Sequence, residues 1–385
     1  MPLVTVEGKS SQAIALGEQE ETNLIVPMES IISMYAISNV LMIGPTFDML
    51  IIDSGGTIIN PMPQDGTVIT VTMGDTRREP LKMRFRQVGA PQIGIPTAKG
   101  SAIRIQCTLD KPKLFHGLCQ KAIRGTSSTA IKQIAADCDL TVGSRVDSSV
   151  SDDMKWLPMN RQYGFVLADI ASHGWFGDDS AATVVGVTLT GEVAYRDYAK
   201  LAKAPAKASF YYGVPTPNDE DNNYVAHHMT YEDLFTTGIG LQGYSANRKR
   251  FNIDGALEVL EGIKVTQNNE RLNVSSKIKD AVGISRAILG GIDCGNTHSF
   301  YEQAEFQNLR YRSLFTRQRS LVISRSSIDL DLFDPVKIYY LDTRTQEPVS
   351  VSGIITAKVI AIVNGFYVER FNIQYQGEDA EVIDG

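Results

Sequence analysis

A glycine-rich segment at residues 238–243 spells the G-x-G-x-x-G motif of dinucleotide-binding proteins. Such a site needs an apolar strand before the glycines and a helix after them, because the helix N-terminus receives the pyrophosphate. Here Tyr-Glu-Asp-Leu precedes the glycines and Ser-Ala-Asn-Arg-Lys-Arg follows them. Neither context fits, so we expect a flexible loop at this position and no cofactor.

Two acidic pairs, Asp152-Asp153 and Asp178-Asp179, supply the carboxylates that a glycosidase or a calcium site would use. Both pairs lie beside predicted turns, where Asp is favoured because its side chain bonds to nearby backbone. The sequence contains no G-x-S-x-G nucleophile motif. We therefore predict no catalytic residues and no enzymatic activity.

The cysteines and histidines do not have the spacing of metal ligands. Cys107, Cys119, Cys138 and Cys294 are far apart and include no C-x-x-C pair, and the five histidines show no ligand spacing. We predict four reduced, mostly buried thiols, without a metal site or a disulfide framework.

The net charge of −7 argues against a nucleic-acid-binding surface, since proteins that grip phosphates carry a basic face. One arginine cluster is interleaved with Tyr311, Phe315 and Leu321, and it can be interpreted as a nucleic-acid strip or as residues of a subunit interface. We favour the interface, because arginine suits carboxylate pairing. The cluster comprises Arg310, Arg312, Arg317, Arg319 and Arg325.

Length and composition indicate a folded protein with two or three domains. The chain has 385 residues, of which 43% are hydrophobic and 21% charged. No apolar run approaches the ~20 residues of a membrane span, and the N-terminus lacks the blocks of a signal peptide. We therefore expect the protein not to insert into a membrane. We also expect it to mature in the compartment in which it is synthesised.

The pattern predicts a β-rich α+β fold, with two similar antiparallel, barrel-like β domains flanking a small α+β module. Residues 1–23 are polar and predict an N-terminal arm. Residues 24–110 form the first β domain, as the alternation Leu-Lys-Met-Arg-Phe-Arg at 81–86 indicates. Residues 111–200 form the module, and residues 201–385 form the second β domain, with a polar loop region at 214–250.

Two helices and a hairpin are predicted inside the module. Thr126 has the position of a helix N-cap before an apolar stripe that runs from Ala130 to Cys138. A second helix is predicted from Asn160 to Gly174, and a hairpin turns at Thr190-Gly191.

In the second β domain, the pattern predicts consecutive strands at 320–324, 336–341, 349–352, 358–364 and 367–375. A weak internal echo relates this region to the first domain: residues 68–80 read VITVTMGDTRREP and residues 336–348 read VKIYYLDTRTQEP. The echo fits either a chance likeness of two hairpin tips or a duplication.

The order of segments from 124 to 198 resembles the central module of phage baseplate hub proteins of the late-control D family. The N-terminal part of type VI secretion spikes belongs to the same group. The resemblance extends over residues 25–376, including Tyr301 and Ala304. Its module segments are Arg-Gly-Thr-Ser-Ser at 124–128, Met-Lys-Trp-Leu-Pro-Met-Asn at 154–160, Phe-Val-Leu-Ala-Asp-Ile-Ala at 165–171 and Gly-Glu-Val-Ala-Tyr-Arg-Asp at 191–197.

This resemblance implies a structural role in a virion tail baseplate that is assembled in the host bacterial cytoplasm. Hub proteins are homotrimers whose ring joins the six-fold tail tube to the three-fold spike and leaves a channel for DNA. Because the chain ends at Gly385 without a β-helix, we expect the spike to be a separate polypeptide. The tail tube protein, the tape measure protein and other baseplate proteins are the remaining expected partners.

We predict that the C-terminal strands form the ring and that residues 214–250 contact neighbouring baseplate proteins. Two alternatives stay open, a hexameric tube-type or distal tail ring protein and a baseplate cell-wall hydrolase. The predicted interface residues are Val336, Ile338, Tyr340, Tyr367, Phe371 and Tyr375.

Overall fold

The fold is given by a computed structural model. It describes residues 3–9, 21–40, 42–54, 66–73, 81–94, 100–158, 160–177, 181–217, 222–233, 244–251, 257–260, 264–265, 288–293, 298–301, 304, 317–324, 330–342, 345–375 and 381–382.

The N-terminal region forms antiparallel strands because its apolar residues alternate with polar ones. Along 81–87, for example, Met83 and Phe85 are buried while Lys82 and Arg84 are exposed. A short 3-10 helix, Met28–Ser30, precedes the third strand. The strands are β1 (Leu3–Lys9), β2 (Glu21–Val26), β3 (Ile31–Asn39), β4 (Thr46–Asp53), β5 (Val68–Met73), β6 (Leu81–Gln87), β7 (Gln92–Ile93) and β8 (Ser101–Leu109).

Residues 1–23, which the sequence predicts to be an arm, contain β1 and the first residues of β2. Strand β1 pairs antiparallel with β5 on one side and with β2 on the other. Val4 and Val6 are buried in the same core as Phe47 and Phe85. Residues 3–9 and 21–23, the described part of this segment, therefore belong to the sheet.

The module contains the predicted helices and hairpin. Thr126 caps the first long helix, since its side chain accepts a hydrogen bond from the Thr129 amide at 3.3 Å. The two long helices bury Ile134 and Ile170 in a common core. The elements are α1 (Pro112–His116), β9 (Leu118–Cys119), β10 (Ile123–Gly125), α2 (Ser127–Asp137), β11 (Thr141–Val146), β12 (Met154–Trp156), β13 (Arg161–Gln162), α3 (Tyr163–His173), β14 (Thr183–Val187) and β15 (Glu192–Asp197).

The C-terminal region returns to strands after one short helix, α4 (Tyr198–Ala202). Strands β19 to β22 form a separate sheet, and the others join the main sheet. The strands are β16 (Ala208–Tyr212), β17 (Asn223–Val225), β18 (His228–Asp233), β19 (Tyr244–Phe251), β20 (Leu257–Leu260), β21 (Lys264–Val265), β22 (Ile288–Asp293), β23 (Arg317–Ile323), β24 (Pro335–Leu341), β25 (Pro348–Val363), β26 (Phe366–Tyr375) and β27 (Glu381–Val382).

Two predictions about this region need correction. The described part of the polar segment 214–250 contains β17, β18 and most of β19, which pair with β16, with β23, and with β20 and β22, respectively. The strands predicted at 349–352 and 358–364 are one continuous strand, β25. Gly353 lies inside this strand, where it is the pairing partner of Val336 on β24.

Strand β25 joins the N-terminal and C-terminal strands into one sheet. Along one edge, its residues 348–354 pair with β24 and its residues 357–363 pair with β3. Along the other edge it pairs with β26 and β27. The sheet runs in the order β17-β16-β24-β25-β3-β4-β8-β6-β5-β1-β2 and curls into barrel-like halves, which confirms the predicted β-rich α+β class.

Both segments of the internal echo form hairpins. Residues 68–73 pair with 81–86 as β5 and β6, with Met73 opposite Leu81. Residues 335–341 pair with 348–354 as β24 and β25, with Leu341 opposite Pro348. In the described residues, each copy of the echo therefore begins with a strand that pairs antiparallel with the strand after it.

Gly353 allows β25 and β26 to approach closely in the middle of the joined sheet. A Cβ at this position would lie 2.6 Å from Cγ2 of Ile373 and 2.8 Å from the carbonyl oxygen of Gln374. We expect Gly353→Ala to lower the free energy of unfolding by about 1–3 kcal/mol, because the paired backbone has to shift. Urea unfolding measures this change. Ser352→Ala is the control, because Ser352 is the exposed neighbour of Gly353. Equal losses of unfolding free energy in the two variants would contradict the prediction.

Candidate interaction surface

The six predicted interface residues lie on β24 and β26, with their side chains mainly in the core of this chain. Five of them are less than 10% exposed: Val336, Ile338, Tyr340, Phe371 and Tyr375. The sixth, Tyr367, is partly buried against the N-terminal core. In this structure, residues of the same chain cover these side chains. A contact of these strands with a neighbouring subunit stays a prediction.

The backbones of β24 and β26 are also engaged within the sheet. Strand β24 lies between β16 and β25, and β26 lies between β23 and β25. Further strand pairing with another subunit therefore needs different strands.

Three strands of three or more residues at the borders of the main sheet offer such edges. In the described parts of the chain, β2 pairs only with β1, β17 only with β16 and β18 only with β23. Each carries an exposed apolar side chain: Ile25 on β2 is 58% exposed, Val225 on β17 is 52% and Tyr231 on β18 is 52%. Exposed edges with apolar side chains favour pairing with another strand.

One arginine of the predicted cluster, Arg319, packs against aromatic rings of its own chain. Its guanidinium carbon lies 3.8 Å from the ring centroid of Tyr340, 5.4 Å from that of Tyr231 and 5.7 Å from that of Tyr375. Burial raises the pKa of Tyr375 to about 12, although the charge of Arg319 opposes this shift. Arg319 thus stabilises one end of the C-terminal core. Arg310, Arg312 and Arg325 lie outside the described residues.

The module contains a buried Ser-Asp-Tyr cluster whose residue types resemble a catalytic group. Asp152 accepts hydrogen bonds from the amides of Ser127, at 3.2 Å, and Trp175, at 2.9 Å, and from the Ser127 hydroxyl. The Ser127 Oγ lies 2.9 Å from the Tyr195 hydroxyl, whose pKa is raised by burial.

The geometry of this cluster indicates a structural role. Asp152 and Ser127 are 0% exposed, so no substrate reaches them in this conformation. Asp152 accepts a hydrogen bond from the first amide of α2, which has no partner within the helix. Because it also accepts one from the Trp175 amide, it holds the start of α2 close to Trp175. The sequence interpretation placed Asp152 at a turn and missed this contact, because Ser127 is 25 residues away and no local signal connects the two.

The other chemically suggestive residues do not assemble into a site in the described residues. No group of three His, Cys, Asp or Glu side chains there can hold a metal ion, and none of the helices there can span a membrane. Cys107, Cys119 and Cys138 are buried thiols, as predicted, and burial raises the pKa of Cys107 and Cys138 to about 12. Cys294, Asp178-Asp179 and the glycine-rich segment 238–243 lie outside the described residues.

The Asp152 cluster leads to a prediction about stability. We expect Asp152→Ala to lower the free energy of unfolding by about 3 kcal/mol, because buried donors lose their acceptor. Denaturant unfolding of the full chain measures this value. Asp153→Ala is the matched control, since Asp153 is the exposed neighbour. Equal unfolding midpoints for the two variants would refute the structural role of Asp152.

Comparisons with known proteins find similarity at the level of structure. No protein-family model and no curated protein sequence matches the chain. A tail protein from Neisseria meningitidis MC58 superimposes with a TM-score of 0.55 and 12% identity, over 97% of this chain and 96% of that one. The 43 kDa tail protein of prophage MuSo2 from Shewanella oneidensis superimposes with a TM-score of 0.58 and 12% identity, over 96% of this chain and 98% of that one. The chain therefore has the fold of these phage tail proteins, in agreement with its resemblance to baseplate hub proteins.

Proposed function

We propose that this protein is a structural hub subunit of a phage tail baseplate and has no enzymatic activity. The likeness in fold to two phage tail proteins over nearly the whole chain supports this assignment. The buried, hydrogen-bonded state of the Ser127, Asp152 and Tyr195 cluster favours a structural role over the hydrolase alternative.

Three subunits form a closed ring that joins the six-fold tail tube to the three-fold spike. The observation that carries this proposal is the continuity of β25, which holds two barrel-like halves together in one subunit. Three copies then present six similar positions to the tube and three to the spike. Ring closure pairs the sheet borders β2, β17 and β18 with neighbouring subunits and covers their exposed apolar side chains.

The ring leaves a channel through which DNA passes without specific binding. The net charge of −7 suits this role, because the excess of carboxylates over cations keeps the net attraction to phosphates weak. The partners are a separate spike protein, the tail tube protein, the tape measure protein and other baseplate proteins. The segment 214–250 contacts the other baseplate proteins. The complex assembles in the bacterial cytoplasm before it becomes part of the virion.

Native mass tests the ring. We expect light scattering to give a species of three times the 42.3 kDa chain mass for the chain alone, or that mass plus the mass of the bound spike for the mixture. A six-fold species would favour a tube-type ring, and a monomer in both samples would contradict the hub assignment. Turnover of peptidoglycan by the purified chain would instead support the hydrolase.

Substitutions at the sheet borders test which strands close the ring. We expect Ile25→Lys and Val225→Lys to reduce the trimer fraction, because a buried lysine destabilises the contact. Val88→Lys is the matched control, since Val88 is an exposed aliphatic residue that lies away from these borders. Sedimentation velocity quantifies the trimer, and trimers unchanged by both border substitutions would exclude closure through β2 and β17.

A further inference from the structure

A basic ribbon lies on the surface of the module. We use this name for residues 118–125 together with residues 154–158 and 160–162, whose strands pair antiparallel with those of the first segment. Strands β10 and β12 pair at one end, and β9 and β13 pair at the other. The inner side of the ribbon is part of the module core, because Cys119, Ile123 and Trp156 are buried.

The outer side of the ribbon carries two cations in direct opposition. Arg124 is the strand partner of Lys155, and both side chains are exposed. Neither forms an ion pair with any carboxylate in the described part of the chain. Like charges directly opposite one another on paired strands are unfavourable. The ribbon therefore holds a charge repulsion that an external carboxylate would relieve.

The charge of the ribbon is opposite to that of the whole protein. Residues 118–125 and 154–162 contain Lys121 and Arg161 in addition to the opposed pair, and no Asp or Glu. The Nη1 atom of Arg161 lies 3.6 Å from Oδ1 of Asp169 on α3, and both side chains are largely exposed. The chain as a whole has a net charge of −7. A concentrated positive surface on an acidic protein selects an acidic partner.

Exposed apolar side chains accompany these cations. Leu118 and Leu157 lie on the ribbon and are 51% and 47% exposed. Phe165, in the first turn of α3 directly after β13, is 53% exposed. Charged rims around apolar side chains are typical of protein-binding surfaces.

We propose that the basic ribbon is a docking site for a partner protein, which binds through an extended segment that combines carboxylates with apolar side chains. The carboxylates lie between Arg124 and Lys155 and remove their repulsion. The apolar side chains pack on Leu118, Leu157 and Phe165. A nucleic acid meets these requirements less fully, because its phosphates gain nothing from the aliphatic Leu118 and Leu157 and only Phe165 of the three offers a ring for base stacking. This site is independent of the sheet borders and hence of the proposed ring.

Fluorescence anisotropy with the full chain tests the proposal. The probes are a short labelled peptide in which Glu and Leu alternate, a peptide of equal length in which Glu and Ser alternate, and a single-stranded DNA oligonucleotide. We expect the Glu/Leu peptide to bind more tightly than the other two. Lys155→Glu should weaken its binding by about tenfold or more, since one contact is lost and a repulsion is gained.

Thermal unfolding of the same variant separates lost binding from lost folding. Lys155→Glu places a carboxylate opposite Arg124, so the free protein should unfold at a slightly higher temperature although it binds the peptide less well. Lys132→Glu is the matched control, because Lys132 is an exposed lysine on α2 in the same module, and it should leave peptide binding unchanged.

Three results would overturn the proposal. The first is no binding of the Glu/Leu peptide to the unmodified chain. The second is equal binding by Lys155→Glu and Lys132→Glu. The third is preferential binding of the DNA oligonucleotide, which would assign the ribbon to nucleic acid. The trimer mass is measured separately, so failure here leaves the proposed ring untouched.

Discussion

The backbone pairing of β25 is the interaction on which the rest of the fold depends. This strand serves both halves of the sheet, since it pairs with β24 up to Ile354 and with β3 from Ala357, and its register with β26 shifts between Ile355 and Ala357. Thr356 lies at this shift, and its carbonyl accepts a hydrogen bond from the Val40 amide at 3.0 Å. A bulge of this kind bends the strand and increases its twist. The bend allows two curled halves to share a strand without leaving an edge between them.

Buried charges hold the module against this sheet. Arg145 of β11 forms an ion pair with Asp334 at 3.1 Å and donates a hydrogen bond to the carbonyl of Leu332 at 2.8 Å. Lys207 reaches the same carboxylate at 2.9 Å. Buried ion pairs add little net stability, but removing one partner is costly, so such a network specifies one arrangement more than it strengthens it. Here it fixes the module relative to the segment before β24.

Lys358 shows how the central strand contributes to the same junction. Its side chain is 1% exposed, and its Nζ donates a hydrogen bond to the Leu330 carbonyl at 2.6 Å. Burial raises the pKa of the adjacent Asp331, although Lys358 opposes that shift. The polar groups of the interior are therefore used to join elements. What remains for binding partners is on the surface, at the sheet borders and on the basic ribbon.

The sequence alone determined the local structure of much of the chain. Alternation identified strands such as β6 and β24, and the cap at Thr126 located a helix. These signals are local, because a strand has a period of two residues and a cap acts within one turn. The resemblance to hub proteins rested on the order of these local segments and on no single motif.

Only the tertiary structure decided how these elements meet. It merged two predicted strands into β25, placed Val4 and Val6 in the sheet, and brought Asp152 to the N-terminus of α2. It also set Arg124 opposite Lys155, 31 positions apart in the chain. Each of these contacts joins residues that are distant in sequence, and their free energy depends on which surfaces meet after the chain has folded. No periodicity within a short window contains that information.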